Sequence, residues 1–291
     1  MSIEVETLEL PGGTFEALHA RGPNGAARVL VLHGFPDHPP TFRPLMEALA
    51  GAGFDVTAPW MRGYAPSVRA GPYDIERLAH DLLELADAVS PDHPVFVIGH
   101  DWGAIATYVA SALDPDRIRA AVTLAVPHPF AAARAMLHPA QLRRSWYALY
   151  FQLPVADERV AADDFAYVDR LWRDWSPGCE LPAALRGELH RCLKTSWPAP
   201  LEHYRALVRP PLAAWHRSRP GAPLRNPITV PTMQIQGTRD GCLPPSACRG
   251  QERWFQGPFR AELIVDAGHF LQVEATEAVA DLALEWFTEH A

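Results

Sequence analysis

Short apolar runs alternate with longer helical patterns along the first half of the chain, and this alternation constrains the fold more than any other feature. Arg28–Leu32 and residues 95–98 are typical of strands, and Ile75–Val89 places apolar residues at helical spacing. Strands that are apolar on both faces and joined by helices indicate a parallel sheet covered on both sides. The sequence therefore predicts an α/β fold with a mostly parallel, doubly wound sheet.

Further elements fit the same sheet. An antiparallel hairpin is predicted around Pro11-Gly12-Gly13, from residues 4–10 and 14–19. Further strands are predicted at residues 55–58, 121–126, 232–236 and 261–265, with helices at 41–50 and 274–288.

The pattern changes over residues 128–227. This stretch is rich in Pro, Trp and Arg, has helical segments at 131–137 and 182–193, and contains no run typical of a core strand. We therefore predict a helical cap (lid) at 128–227, inserted into a core domain formed by residues 1–127 and 228–291. The cap tryptophans, which suit an aromatic-lined pocket for an apolar ligand, are Trp146, Trp172, Trp175, Trp197 and Trp215.

The segment Gly99-His100-Asp101-Trp102-Gly103 follows a predicted strand and precedes a helical pattern, so Asp101 falls on a strand-to-helix corner. Such corners usually carry a serine nucleophile. A carboxylate is already ionised near neutral pH and can attack an alkyl carbon without a base. The resulting alkyl-enzyme ester must then be cleaved by water, which requires a base and an oxyanion hole.

Two more corners carry polar residues directly after predicted strands. Asp240 follows the strand at 232–236, and His269 follows the strand at 261–265. The carboxyl ends of parallel strands are where open α/β sheets place their sites. We therefore predict that His269 activates water and that Asp240 orients its ring, whereas either residue alone would more often be an ordinary turn residue.

His33-Gly34-Phe35-Pro36 ends another predicted strand and faces the same edge. The backbone N–H groups of Phe35 and Trp102 are predicted to form the oxyanion hole, and both residues are also expected to contact the substrate. The alternative for the Phe35 side chain is packing in the core. The sequence leaves the isomer of the Phe35-Pro36 bond open.

Composition and net charge exclude some classes of binding partner. The chain has 291 residues, 48% of them hydrophobic, and a formal net charge of −8, which argues against nucleic acid or an anionic membrane as partner. The first residues lack the features of a secretory leader, so we expect a cytoplasmic protein. Its histidines and its cysteines Cys179, Cys192, Cys242 and Cys248 show no metal-binding or redox spacing, so neither metal nor cofactor is expected. No role is assigned to Cys242 or Cys248.

These motifs, with Arg62-Gly63-Tyr64, resemble an α/β-hydrolase-fold epoxide hydrolase over nearly the whole chain. In the cap, Trp146 to Gln152 is similar to the family segment that bears the first ring-opening tyrosine, which corresponds to Tyr147. His203-Tyr204-Arg205 resembles the segment that bears the second, which corresponds to Tyr204. The resemblance implies that both tyrosines bind the substrate and assist catalysis.

The chemistry of epoxide opening also supports a role for the two tyrosines. Opening an epoxide leaves a strongly basic alkoxide, which two phenols can stabilise or protonate, whereas a departing halide needs no acid. Aromatic residues in a helical cap are more often packing residues, and Tyr150 lies one helical turn from Tyr147. With both segments matched, the expected function is hydrolysis of a small apolar epoxide to a vicinal diol.

Three alternatives stay open. A haloalkane dehalogenase would use the same three residues, with Trp102 and an Asn or a cap Trp as halide donors, but Phe35 stands where that Asn is common. Fluoroacetate-type dehalogenases typically place Arg where Trp102 stands. A non-enzymatic binding module would bind a ligand without turnover. A homodimer is allowed, and the identity of the epoxide is left open.

Overall fold

A computed structural model describes residues 2–209 and 222–291. Its described part contains one eight-stranded sheet in the order β1-β2-β4-β3-β5-β6-β7-β8. The strands are β1 Ile3–Leu10, β2 Gly13–Ala20, β3 Arg28–Leu32, β4 Asp55–Pro59, β5 Val95–His100, β6 Ile118–Leu124, β7 Thr232–Gly237 and β8 Phe259–Ile264. β2 pairs antiparallel with β1 and with β4, and all other neighbours are parallel.

Helices follow the strands on both sides of the sheet. They are α1 Arg43–Gly51, α2 Ile75–Val89, α3 Trp102–Leu113, α4 Pro129–Ala135, α5 Pro139–Arg144, α6 Trp146–Tyr150, α7 Val155–Trp175, α8 Ala183–Ser196 and α9 Glu202–Ala206, with Leu271–Glu274 and Thr276–Glu289 near the end of the chain. Short 3₁₀ helices occur at Pro39–Phe42, Pro115–Arg117, Ala199–Leu201, Pro223–Arg225, Pro245–Cys248 and Glu252–Trp254.

Each face of the sheet has its own hydrophobic core. Leu30 and Leu32 of β3 pack in the core that includes α2 and α3, and Val29 and Val31 pack in the core that includes α1 and the last helix. Alternate residues of one strand thus face opposite cores, as the two-residue period of a strand requires. The predicted doubly wound α/β sheet, its edge hairpin and its parallel centre are confirmed.

Two predicted strands are displaced. β8 spans Phe259–Ile264 rather than 261–265, and the larger shift is in β6. β6 spans Ile118–Leu124 rather than 121–126. The exposed Arg119 interrupts the apolar run near the start of β6, and Ala125, with φ of 66°, turns the chain out of the strand directly after Leu124. The apolar pattern alone therefore placed the strand too late.

Helices α4 to α9 lie between β6 and β7, and the described part of this stretch contains no named strand. α4 and α8 correspond to the two helical segments predicted there, while α7 was not predicted. The division into a core and a cap at 128–227 stays a prediction, and its residues 210–221, which include Trp215, lie outside the described residues.

Of the helices that the structure describes, none combines the length and the apolar character needed to cross a membrane.

Candidate active site

Asp101 occupies a sharp corner between β5 and α3, with φ of 51° and ψ of −113°. This conformation is rare for a residue that is not glycine and is found where surrounding structure enforces it. A Cβ at Gly99 would collide with the backbone of Gly103, and a Cβ at Gly103 would lie 2.8 Å from the carbonyl oxygen of His33. The two flanking glycines therefore allow the close approach that the corner needs.

The structure brings Asp101, His269 and Asp240 together at the carboxyl ends of β5, β8 and β7. Nδ1 of His269 lies 2.9 Å from Oδ2 of Asp240, and Nε2 lies 3.7 Å from Oδ2 of Asp101. All three side chains are buried. The imidazole therefore bonds to one carboxylate and faces the other without a direct hydrogen bond.

Asp240 is held by four hydrogen bonds. Its Oδ1 accepts from the backbone N–H groups of Cys242, at 2.7 Å, and Leu243, at 2.8 Å. Its Oδ2 accepts from Nε2 of Gln236, at 2.7 Å, besides facing His269. The carboxylate is thus fixed in position to orient the imidazole.

The backbone N–H of Phe35 donates to Oδ1 of Asp101 at 2.8 Å. The Trp102 amide lies beside Gly34, since a Cβ there would stand 2.7 Å from its nitrogen. The two amides predicted as an oxyanion hole therefore flank one side of the Asp101 carboxylate. The Phe35 ring packs edge-on against Tyr204 and Phe151, and the Phe35-Pro36 bond is cis.

Tyr147 and Tyr204 contact each other in the cavity that Asp101 also lines. Their rings meet edge-on with centroids 5.7 Å apart, and both side chains are buried. Tyr204 also packs edge-on against Trp102. Tyr150 lies elsewhere, stacked on Tyr167. The structure thus places the two predicted tyrosines, and not Tyr150, beside the corner.

A cavity of about 580 Å³ contains Asp101 and both tyrosines. Its lining is mostly apolar: Ile75, Asp101, Trp102, Ile105, Val126, Pro129, Phe130, Ala132, Ala133, Met136, Ser145, Tyr147, Ala148, Tyr204, Leu207, Leu224, Cys242 and Leu243. The lining includes Trp102, Tyr147 and Tyr204 but not Phe35, which was also predicted to contact the substrate. A mostly apolar lining with few polar groups suits a small apolar ligand that carries one polar group.

The charges at the site are strongly coupled. Burial by itself would raise the pKa of Asp101, but the neighbouring His269 outweighs it and holds this pKa below its usual value. Burial would lower the pKa of His269, but the charges of Asp240 and Asp101 overcome it and raise this pKa to about 10. The resting site therefore holds a carboxylate beside an imidazolium.

Both tyrosines are poor acids in this environment. Burial raises the pKa of Tyr147 and of Tyr204 well above the usual value, and the negative charge of Asp101 adds to the effect. Both phenols are therefore protonated and able to donate a hydrogen bond throughout the physiological pH range.

Within the described part of the chain, Asp240, Cys242 and His269 form a group of metal-ligand type, with their ligand atoms within 4.8 Å of one another. Hydrogen bonds engage both oxygens of Asp240, however, and the sulfur lies 3.2 Å from the Tyr147 hydroxyl. An acid that orients a base accounts for this arrangement, and the expectation of no metal stays a prediction.

Sequence reasoning missed several supporting residues. Gln236 holds Asp240, and a polar residue at the end of a buried strand was the available signal. Ser176 accepts the backbone N–H of His269 at 2.9 Å, and Trp175 packs edge-on against the imidazole. Cys242 lines the cavity. Arg62, quoted for the resemblance, forms a buried ion pair with Asp81 instead of contributing to the site.

Comparison with known proteins agrees with this architecture. Residues 27–276 match the α/β hydrolase fold family. The chain therefore belongs to that family.

Individual relatives and solved structures indicate which group within this family the chain resembles. Epoxide hydrolase A of Mycobacterium tuberculosis is 34% identical, over 92% of this chain and 92% of that protein. Epoxide hydrolase 3 of Xenopus tropicalis is 27% identical, over 90% of this chain and 71% of that protein. The crystal structure of epoxide hydrolase A from Mycobacterium thermoresistibile matches with a TM-score of 0.81 at 26% identity, over 99% of this chain and 98% of that chain. Within the α/β hydrolases, the chain is thus grouped with the epoxide hydrolases.

Proposed function

We propose that this protein converts a small apolar epoxide to a vicinal diol through a covalent ester on Asp101. The observation that carries the proposal is the placement of Tyr147 and Tyr204 in one apolar cavity with the Asp101 carboxylate. A carboxylate can attack a ring carbon, and two neutral phenols can receive the charge that develops on the ring oxygen.

In the first step, an oxygen of Asp101 attacks a ring carbon from the side opposite the ring oxygen. A carbon–oxygen ester bond forms as the ring carbon–oxygen bond breaks, and the departing oxygen takes a proton or a strong hydrogen bond from the tyrosines. Asp101 is ready for this step because His269 keeps its pKa low. The Phe35 N–H already holds Oδ1, which leaves Oδ2 as the attacking oxygen.

In the second step, His269 removes a proton from a water that attacks the ester carbon. The negative charge then forms on the oxygen that Phe35 and Trp102 flank. As it collapses, the bond between the ester carbon and the alkyl oxygen breaks, and that oxygen takes the proton from His269 and leaves as part of the diol. Esterification removes the charge of Asp101, one of the two that raise the pKa of His269. The imidazolium is therefore a stronger acid after step one. It gives up its proton, which returns to the tyrosinate left by ring opening, and the neutral ring then acts as the base in step two.

The helical segment 128–227 serves as the lid in this proposal. It supplies both tyrosines and, in its described part, much of the apolar lining, so it sets which epoxide fits. Cytoplasmic residence and a homodimer stay predictions from the sequence.

A haloalkane dehalogenase is the alternative, and the cap tryptophans within the described residues 128–209 and 222–227 argue against it. A halide site needs a second N–H donor besides Trp102, but the indoles of Trp172 and Trp197 donate to the backbone carbonyls of Pro36, at 2.8 Å, and Asp157, at 2.6 Å. Trp146 is 45% exposed, and Trp175 does not line the cavity. Tyr147 and Tyr204 line the same cavity as Asp101 and bring two hydroxyl donors to it.

A substrate panel tests the assignment. Purified protein is incubated with styrene oxide, an aliphatic epoxide, and 1-bromo- and 1-chloroalkanes, and diol and halide are measured separately. Diol without halide supports the proposal. Halide release without diol would assign the chain to the dehalogenases, and ligand binding without either product would favour a binding module.

A further inference from the structure

Cys242 contacts the proposed ring-opening machinery without belonging to the three-residue set. Its Sγ lies 3.2 Å from the Tyr147 hydroxyl, and within residues 2–209 and 222–291 it is the hydrogen-bond partner of that hydroxyl. Cys242 also lines the cavity and is 2% exposed. The sulfur therefore touches the phenol at the place where an epoxide oxygen would have to be received.

Backbone hydrogen bonds hold Cys242 in place on both sides. The Cys242 N–H donates to Asp240 at 2.7 Å, and its carbonyl accepts from Nε2 of Gln141, on α5, at 2.9 Å. The preceding Gly241 donates its N–H to the Trp175 carbonyl at 2.9 Å. These bonds fix the Cα–Cβ direction of Cys242, and the burial of its side chain restricts rotation of the thiol away from Tyr147.

We propose that Cys242 is a positioning residue for ring opening: its thiol donates to the Tyr147 oxygen and so turns the phenolic hydrogen toward the epoxide oxygen. This inference rests on the proposed function. A phenol that accepts from one neighbour keeps its own hydrogen free for another, and the same donor stabilises the charge left on the phenol oxygen as the epoxide takes the proton.

A thiol beside an electrophile must not react with it. Burial raises the pKa of Cys242 well above the usual thiol value, and the charges of Asp240 and Asp101 add to the effect. The thiolate is the reactive form, so the protonated thiol remains a hydrogen-bond donor while Asp101 acts as the nucleophile.

A double-mutant cycle with a conservative variant tests the proposal. Cys242→Ala should slow ring opening about three- to tenfold, the effect of one neutral hydrogen bond. Cys242→Ser keeps a donor at this position and should therefore retain most of the wild-type rate. In the Tyr147→Phe background, Cys242→Ala should have no further effect, whereas in the Tyr204→Phe background it should keep its full effect. Equal effects of Cys242→Ala in both backgrounds would overturn the proposal.

Cys192→Ala is the matched control, because that thiol donates to the Ala65 carbonyl at the same distance, 3.2 Å, but does not line the cavity. It should leave the rate unchanged, and a comparable loss would show that thiol removal acts through the general fold.

A spectroscopic readout separates this proposal from the proposed function. In protein labelled with ¹³Cζ-tyrosine, Cys242→Ala should shift the Tyr147 resonance more than Cys242→Ser does, whether or not the protein turns over. An unmoved resonance overturns the positioning role even if diol is formed. A shifted resonance with no diol from the wild type overturns the proposed function, and with it the link between this hydrogen bond and ring opening.

Discussion

Nε2 of His269 lies 3.7 Å from Oδ2 of Asp101 and, although buried, has no hydrogen-bond partner among the described residues. The other ring nitrogen bonds to Asp240 at 2.9 Å. The imidazole is therefore oriented from one side and unengaged on the side that faces the proposed nucleophile. A group that must take a proton from an attacking water needs this arrangement.

The covalent step can be read from isotope labelling. Hydrolysis at the carboxyl carbon exchanges an oxygen of Asp101 with water, so a single turnover in ¹⁸O-water should place the label in Asp101. Peptide mass spectrometry locates it. Label found in the diol alone would mean that water opens the ring directly.

Removing the base should trap the intermediate. His269→Gln should still be alkylated but should hydrolyse its ester very slowly, because the imidazole acts in the second step. Intact-protein mass spectrometry should then show a persistent increase equal to the mass of the epoxide. Loss of turnover without any adduct, in a variant with a wild-type circular dichroism spectrum, would assign His269 to the first step.

The tyrosine pair is expected to control ring opening. Tyr147→Phe or Tyr204→Phe should slow adduct formation by about 10- to 10³-fold, the scale of losing one oriented donor or acid, and the double variant should nearly abolish it. Tyr150→Phe is the control, because that ring stacks on Tyr167 outside the cavity. A folded double variant that opens epoxides at the parental rate would remove the reason for preferring epoxides to haloalkanes.

Much of the sheet could be predicted because its strands are marked by the spacing of apolar residues along the sequence. β3 and α2 have their predicted bounds, since an apolar strand and a helix with one apolar face both repeat at a fixed period. α7 escaped prediction because its helical course is interrupted at residues 162–165, where Asp163, Asp164 and Phe165 have positive φ. A break of that kind removes the continuous spacing on which a prediction depends.

Within the site, too, the residues placed by local patterns could be predicted and the long-range contacts could not. Asp101, Asp240 and His269 follow strands, so the sheet topology predicts that they meet. The contact of Cys242 with Tyr147 joins residues 95 positions apart and depends on how α6 sits over the loop after β7. No local pattern encodes that contact, so no role for this cysteine could be predicted.

Neutralising Asp101 should lower the pKa of His269. In the wild type, Asp240 and Asp101 together raise this pKa to about 10, so the ring stays protonated until the pH approaches that value. Asp101→Asn mimics the charge of the ester and should let the ring lose its proton at a distinctly lower pH. NMR titration of the histidine Cε1–H signals measures the change. An unchanged titration midpoint of His269 would mean that forming the ester does not lower the pKa of this base.

Stability should depend on pH through the same group. The folded-state pKa of His269, about 10, lies above the ordinary value of 6.5. Its contribution to the free energy of unfolding is therefore complete below about pH 6.5 and is lost as the pH rises through about 10. Urea unfolding of wild type and His269→Gln should show a stability difference that narrows between pH 7 and pH 10. A difference that widens would contradict the raised pKa.

Gly34 should be intolerant of any side chain. A Cβ there would overlap the Asp101 carboxylate and lie 2.7 Å from the Trp102 nitrogen, so Gly34→Ala must displace the nucleophile from the two amides. We expect a loss of about 10²-fold or more in the rate of ester hydrolysis, the scale of losing an oxyanion-hole donor. Gly187→Ala, within α8, is the matched control. Its Cβ would lie 3.5 Å from an Arg191 nitrogen, an ordinary contact distance, and the change should stabilise the helix by about 0.5–1 kcal/mol. Steady-state kinetics and thermal unfolding of both variants test the pair, and a Gly34→Ala enzyme with parental turnover would place the oxyanion hole elsewhere.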